Sequence, residues 1–193
     1  MKVIEDKVGE ISNPPGGILV WLLIILEIFT FLGASLVFLY YRADNLSSFI
    51  ESQEHLDPIL GTVNTIILIT SGYLMAMSLL FLRQNNNAKS SKYMFVGVLL
   101  GVLFLAVKGY EFYAKIELGI GFSYNTFFTF YWMMTGFHFI HVLFGVGLLA
   151  VINKSIKNNK YNSESLFDVE SSISYWHMCD LIWILIFPIL YLL

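Results

Sequence analysis

Three short segments place charged and imidazole side chains inside runs apolar enough to lie in lipid: Lys108-Gly-Tyr-Glu111, Thr135-Gly-Phe-His138-Phe-Ile-His141 and Tyr175-Trp-His177-Met-Cys-Asp180. A further carboxyl, Glu27, stands alone between Trp21-Leu-Leu-Ile-Ile-Leu26 and Ile28-Phe-Thr-Phe31. An ionisable group at bilayer depth costs roughly 2.5–3.5 kcal/mol on insertion scales, so it is kept where protein or water surrounds it. Lys108 and Glu111 are three residues apart, share a helix face, and either pair or snorkel toward water. His138 and His141 share a face in the same way, and His177 and Asp180 repeat the spacing.

Histidines three apart on one helix can ligate a metal, but a haem takes axial ligands from facing groups and a copper site needs converging imidazoles. Only His138, His141 and His177 fall within apolar runs, so the residues favour interhelical hydrogen bonding and predict no metal site in this chain. Glu27 has no partner on its own helix. It must bond to another span, border a cavity or stay protonated, which leaves proton handling and structural hydrogen bonding both open. No catalytic constellation is found.

The elements that must position these groups are membrane helices. With 57% hydrophobic, 17% aromatic and 13% charged residues and a mean hydropathy of +0.71, the 193-residue chain is a polytopic membrane protein and not a soluble domain. A net charge of −3 gives no support for nucleic-acid binding, and the single Cys179 forms no internal disulfide and no Cys-x-x-Cys motif. Glu5, Asp6 and Glu10 before the first apolar run, with no small-residue cleavage pattern, argue against a cleavable leader.

A hydrocarbon core of about 30 Å needs about 20 apolar residues. Five stretches qualify, near 17–41, 58–82, 93–114, 124–152 and 172–193, giving an all-α domain over 17–193 behind a cytoplasmic tail at 1–16. Of the loop and tail Lys and Arg residues, eight fall on the side of the N-terminus and two, Arg42 and Lys115, on the other, which predicts N-terminus inside and C-terminus outside. Counting along the spans puts Glu27 about 15 Å deep, His138 and His141 in the interior, and Lys108 and Glu111 near an outer end. Gly97-x-x-x-Gly101 and Gly145-x-Gly147 offer smooth strips for helix packing, whereas Phe38, Tyr40, Tyr41, Tyr124, Phe127, Phe128, Phe130, Tyr131 and Trp132 read as belt and packing residues.

Trp21-x5-Glu27, Asn64-Thr65, Gly109-Tyr-Glu111-Phe-Tyr, Asn125-Thr-Phe-Phe128, Thr135-Gly-Phe-His138-Phe-Ile-His141-Val and Tyr175-Trp-His177-Met-Cys-Asp180-Leu-Ile-Trp183 follow one another in an order that resembles subunit III of haem-copper cytochrome c oxidases. The likeness runs from Pro14 to Leu193. Many members have seven spans. With five, and with Pro14-Pro-Gly16 and Phe187-Pro188, this chain is most similar to the short branch that includes forms associated with nitric oxide reductase.

The resemblance implies a non-redox subunit of the respiratory chain in the inner (plasma) membrane, not catalytic alone. Haem and copper would be held by the partner, the catalytic subunit I of a terminal oxidase or of a nitric oxide reductase. The chain itself would bind no cofactor except structural phospholipid, and would support assembly, stability and proton uptake. By position, Glu27 and Glu111 match the family's membrane glutamates, and His138, His141, His177 and Asp180 its signature histidines and aspartate. A proton-coupled transporter and a small haem-b anchor are the competing classes.

Overall fold

The computed structural model describes residues 14–193, so most of the predicted tail at 1–16 lies outside the described residues. Six helices follow: α1 (Ile18–Asp44), α2 (Leu46–Gln53), α3 (Pro58–Arg83), α4 (Asn87–Glu117), α5 (Thr126–Lys157) and α6 (Phe167–Tyr191). All but α2 are long and apolar enough to cross a membrane. At 25–32 residues they run about 38–48 Å, longer than the ~30 Å hydrocarbon core. Accordingly α4 starts at Asn87 and α5 continues to Lys157, several residues beyond the predicted apolar bounds, because a helix does not stop where its hydrophobicity does.

Helix starts follow from local chemistry. Asp57 Oδ1 accepts from the backbone N–H of Ile59 and Leu60 at 2.9 and 3.1 Å, and Pro58 occupies the first turn of α3. Asn86 caps α4 through Lys89 N–H, and Asn125 caps α5 through Phe128 N–H. The same Asn125 donates from Nδ2 to Ser52 Oγ at 2.8 Å, tying α2 to α5. The segment 42–57, predicted as a loop, contains α2 because Phe49 is buried against Phe38 and Phe127.

α6 is the packing centre and touches α1, α3 and α5, while α3 lies along α4. Trp176 and Trp183 are buried on α6, and the helices beside Trp176 carry glycine where its indole arrives. A Cβ at Gly101 would stand 2.6 Å from Trp176 Cη2, and one at Gly145 2.9 Å from Trp176 Cε3. Gly97 does the same for Met75 Cε at 2.7 Å. Of the four glycines expected to pack, Gly147 does not: nothing lies within 4 Å of its Cβ position, so it faces outward. Gly72, which the sequence pattern did not single out, is required instead, because a Cβ there would fall 2.1 Å from Asp180 Oδ2.

The lysine-bearing connections meet at one end of the bundle. Arg83 pairs with Glu170 at 2.8 Å, Asn85 exchanges hydrogen bonds with Ser163, and Asn87 Nδ2 donates to Asn159 Oδ1. At the other end Lys115 Nζ donates to the His55 carbonyl at 2.6 Å and Arg42 to the Leu193 carbonyl.

Candidate functional site

Polar groups in the membrane interior resolve into three separate sites. The most enclosed is built on α4 by the three-residue spacing of Lys108 and Glu111, whose Nζ and Oε2 are 3.1 Å apart. Tyr131 of α5 and Tyr191 of α6 donate from their hydroxyls to Glu111 Oε1, each at 2.7 Å. Lys108 Nζ donates in turn to both tyrosine oxygens. Both carboxylate oxygens are therefore occupied, and all three ammonium protons have an acceptor.

Around the ammonium stand the rings of Phe112, Tyr131, Trp183 and Tyr191, with centroids 4.8–5.4 Å away. Lys108 is 1% exposed. It lies nine residues inside the C-terminal end of α4, about 14 Å of helix. The alternative of snorkelling from an outer end is overturned: rings from three helices enclose the side chain, and its acceptors are inside the bundle. Tyr131, one of the aromatics read from sequence as belt and packing residues, packs in this core and is fully buried.

The second site joins α1 to α5. Glu27 Oε1 lies 3.3 Å from His141 Nε2, both side chains half-buried at the bundle surface. His141 Nδ1 lies 2.8 Å from the Phe137 carbonyl, which can only accept, so Nδ1 carries a proton. A neutral imidazole protonated at Nδ1 has a lone pair at Nε2. It is this Nε2 that faces Glu27 Oε1, while Glu27 Oε2 is buried with no hydrogen-bond partner among the described residues. Of the three options open to Glu27, bonding to another span is the one the structure takes.

The third site is on α6, where His177 Nδ1 and Asp180 Oδ2 are 3.2 Å apart, His177 facing outward and Asp180 buried against Gly72. His138 belongs to none of the three. Its ring is buried and stacks on Trp183, centroids 5.3 Å apart, with Phe31 and Phe104 meeting it edge-on. Neither ring nitrogen has a hydrogen-bond partner among the described residues. The expected interhelical hydrogen bond is thus absent at His138, because the helices facing it present aromatic rings there; Trp183 donates its own N–H to Thr65 Oγ1 at 2.8 Å.

Among the described residues no three His, Cys, Asp or Glu side chains converge in a way that could hold a metal ion. The acidic and imidazole groups meet two by two, Glu27 with His141 between α1 and α5 and His177 with Asp180 within α6. The order of these residues along the chain decides its kinship: the family model described as cytochrome c oxidase subunit III matches residues 17–193. The chain belongs to the cytochrome c oxidase subunit III family.

Similar proteins agree. The cytochrome c oxidase subunit 3 of Synechocystis sp. is 36% identical over 173 residues, which cover 89% of this chain and 73% of that protein. That of Thermostichus vulcanus is 34% identical over 133 residues, 68% of this chain and 65% of that protein. A Staphylococcus haemolyticus protein named "Probable quinol oxidase subunit 3" is 29% identical over 136 residues, again 68% of this chain and 65% of the relative. Subunit III of a haem-copper oxidase is therefore what this multi-pass membrane chain is, and membership implies association with an oxidase catalytic subunit.

In this subunit III the sequence reading missed Tyr191 and the role of Tyr131, whose hydroxyls complete the Lys108–Glu111 site. Nothing local marks them, since they lie 20 and 80 residues from the carboxyl they serve. Ser71, which donates to the Gly97 carbonyl at 2.8 Å, and the Ser78–Ser90 pair at 3.0 Å were missed for the same reason.

Proposed function

We propose that this subunit III carries no redox centre and works by holding together and protecting the catalytic subunit, retaining phospholipid and supporting proton uptake in a plasma-membrane oxidase complex. Family membership over residues 17–193 is the observation that carries the reading. The geometry adds support in two ways. The charged groups of the interior are engaged with one another in pairs. Glu27 and His141 bring a carboxyl and an imidazole together near the bundle surface, where a proton can be exchanged with a neighbouring subunit or its water.

Relatives named for cytochrome c and quinol oxidases favour an oxidase as the partner. They lend no support to the nitric oxide reductase association or to a proton-coupled transporter. Extraction in mild detergent tests the proposal: the chain is recovered in stoichiometric complex with a larger haem-bearing subunit. Recovery solely as a stable haem-free monomer or homo-oligomer would overturn it.

A further inference from the structure

Between α3 and α6 a cavity of about 230 Å³ opens at the end of the bundle where Arg83 and Glu170 pair, and both residues line it. Glu170, Ser174 and His177 line it from α6, four and then three residues apart, so one face of that helix descends from an ion pair through a hydroxyl to an imidazole. His177 lies seven residues beyond Glu170, about 10 Å along the helix axis. Leu79 and Leu80 of α3 form the apolar side. Arg83 is exposed, so the mouth is in water. The cavity has room for several waters, each of which takes about 30 Å³ in the liquid.

At its deep end His177 engages Asp180 Oδ2 through Nδ1 at 3.2 Å, which leaves Nε2 as the nitrogen through which the ring can take a proton. Asp180 is 7% exposed, and its Oδ1 is buried with no hydrogen-bond partner among the described residues. The absence of a side chain at Gly72 is what admits this carboxyl. The titratable groups that the neighbouring helices bring to this half of the bundle are engaged elsewhere. Arg83 on α3 is held by Glu170, Glu27 on α1 and His141 on α5 face each other, and His138 on α5 is walled in by rings. On α6 itself, Tyr175 donates to the His141 carbonyl. With one proton between them His177 and Asp180 carry no net charge, the form an apolar interior tolerates best. We propose that His177 and Asp180 form a proton-binding pair reached from the cytoplasmic side through water in this cavity, with Ser174 carrying the hydrogen-bonded path from the Arg83–Glu170 mouth. A hydronium ion gives its proton to the Nε2 lone pair and leaves as water, and the imidazolium donates its Nδ1 proton to the Asp180 carboxylate.

The inference rests on the proton-uptake part of the proposed function and gives it an inlet separate from the Glu27–His141 contact. The positive-inside count puts the mouth on the cytoplasmic face. The His177 side chain is 42% exposed; at this depth a polar ring is tolerated beside water and penalised beside acyl chains.

The test is infrared difference spectroscopy of the purified complex in oriented vesicles with isotope-labelled histidine, the pH being stepped on one face at a time. A step on the cytoplasmic face should change an imidazole signal that is lost in His177→Gln. Asp180→Asn, which keeps the size of the side chain, should move the pH at which that signal appears. Ser174→Leu, which fills the cavity, should slow its appearance, whereas Leu181→Phe, at an exposed position of α6 outside the cavity, should not. Only variants recovered with the wild-type haem content are scored; if His177→Gln fails to assemble, Asp180→Asn and Ser174→Leu decide. The proposal is overturned by a signal unchanged in His177→Gln, by one that Asp180→Asn does not move, by one that follows the outer face as fast as the cytoplasmic face, or by equal rates in Ser174→Leu and the wild type. Turnover at high pH is scored separately: the expected signal with turnover unchanged in His177→Gln sinks the uptake reading alone, and a missing signal with turnover that falls in Glu27→Gln sinks this inference alone.

Discussion

A buried charge in this protein is tolerable because its counter-charge is three residues away and two tyrosines complete it. Removing one partner of a buried pair strands the other, at a typical cost of 3–5 kcal/mol. Lys108→Met is therefore expected to lower thermal stability in detergent by that order, whereas Lys108→Met with Glu111→Leu should recover most of the loss; equal destabilisation by single and double variants would argue against a coupled pair. His138 makes the opposite prediction. Its ring is stacked and has no hydrogen-bond partner among the described residues, so His138→Phe should leave stability within about 1 kcal/mol or raise it, and His138→Gln should lower it by losing the stack on Trp183. Neither change should alter the haem and copper content of the complex.

The Glu27–His141 contact calls for a functional readout as well as a structural one. Glu27→Gln keeps size and can still donate to His141 Nε2, so assembly is expected to hold. If the pair takes part in proton uptake, turnover of the assembled complex falls in this variant, most at high pH where protons are scarce. Unchanged turnover across the pH range would leave the pair a structural tie between α1 and α5.

At the scale of elements, α6 determines how closely its neighbours approach. Gly101→Ala places a Cβ 2.6 Å from the Trp176 ring and 2.9 Å from Val146, with no flexible chain end to give way. Overpacking of this kind typically costs 1–3 kcal/mol. Gly147→Ala and Gly136→Ala, with nothing within 4 Å of the new methyl, should be tolerated. Thermal unfolding of the three variants in the same detergent separates them; equal effects would mean that α6 does not seat the Trp176 indole against these glycines. α1 is held differently, by Glu27–His141 in the membrane and by Ser171 Oγ donating to the Gly16 carbonyl at 2.8 Å near its start.

For the whole molecule, the arrangement of loops predicts a sidedness. The lysine-rich connections after α3 and α5 are joined by hydrogen bonds at one end, and α2 with the α4–α5 connection lies at the other. A cysteine at exposed Asn158 should react with an impermeant thiol reagent from the cytoplasmic face and one at exposed Glu54 from outside. The reverse labelling would overturn the orientation.

Much of this protein was legible one residue at a time. Hydropathy marks the five spans, because the bilayer sets a length and an apolar composition that few other environments require. The cost of a membrane charge marks Glu27, Lys108, Glu111 and Asp180, and a three-residue spacing alone brings together Lys108 with Glu111 and His177 with Asp180. Pairings between helices were not legible. Glu27 lies 114 residues before His141, and Tyr191 lies 80 after Glu111, so which groups meet depends on helix rotation and order in the bundle. Those are settled by where Trp176 finds glycines to pack on and where Trp183 meets the rings of Phe104 and His138. The histidines show the division most clearly: similar in sequence setting, His141 holds a carboxyl and His138 holds only aromatic faces. Composition determines that a side chain must avoid lipid; the tertiary structure decides whether a polar partner or a ring shields it, because in the membrane interior only another helix can supply either.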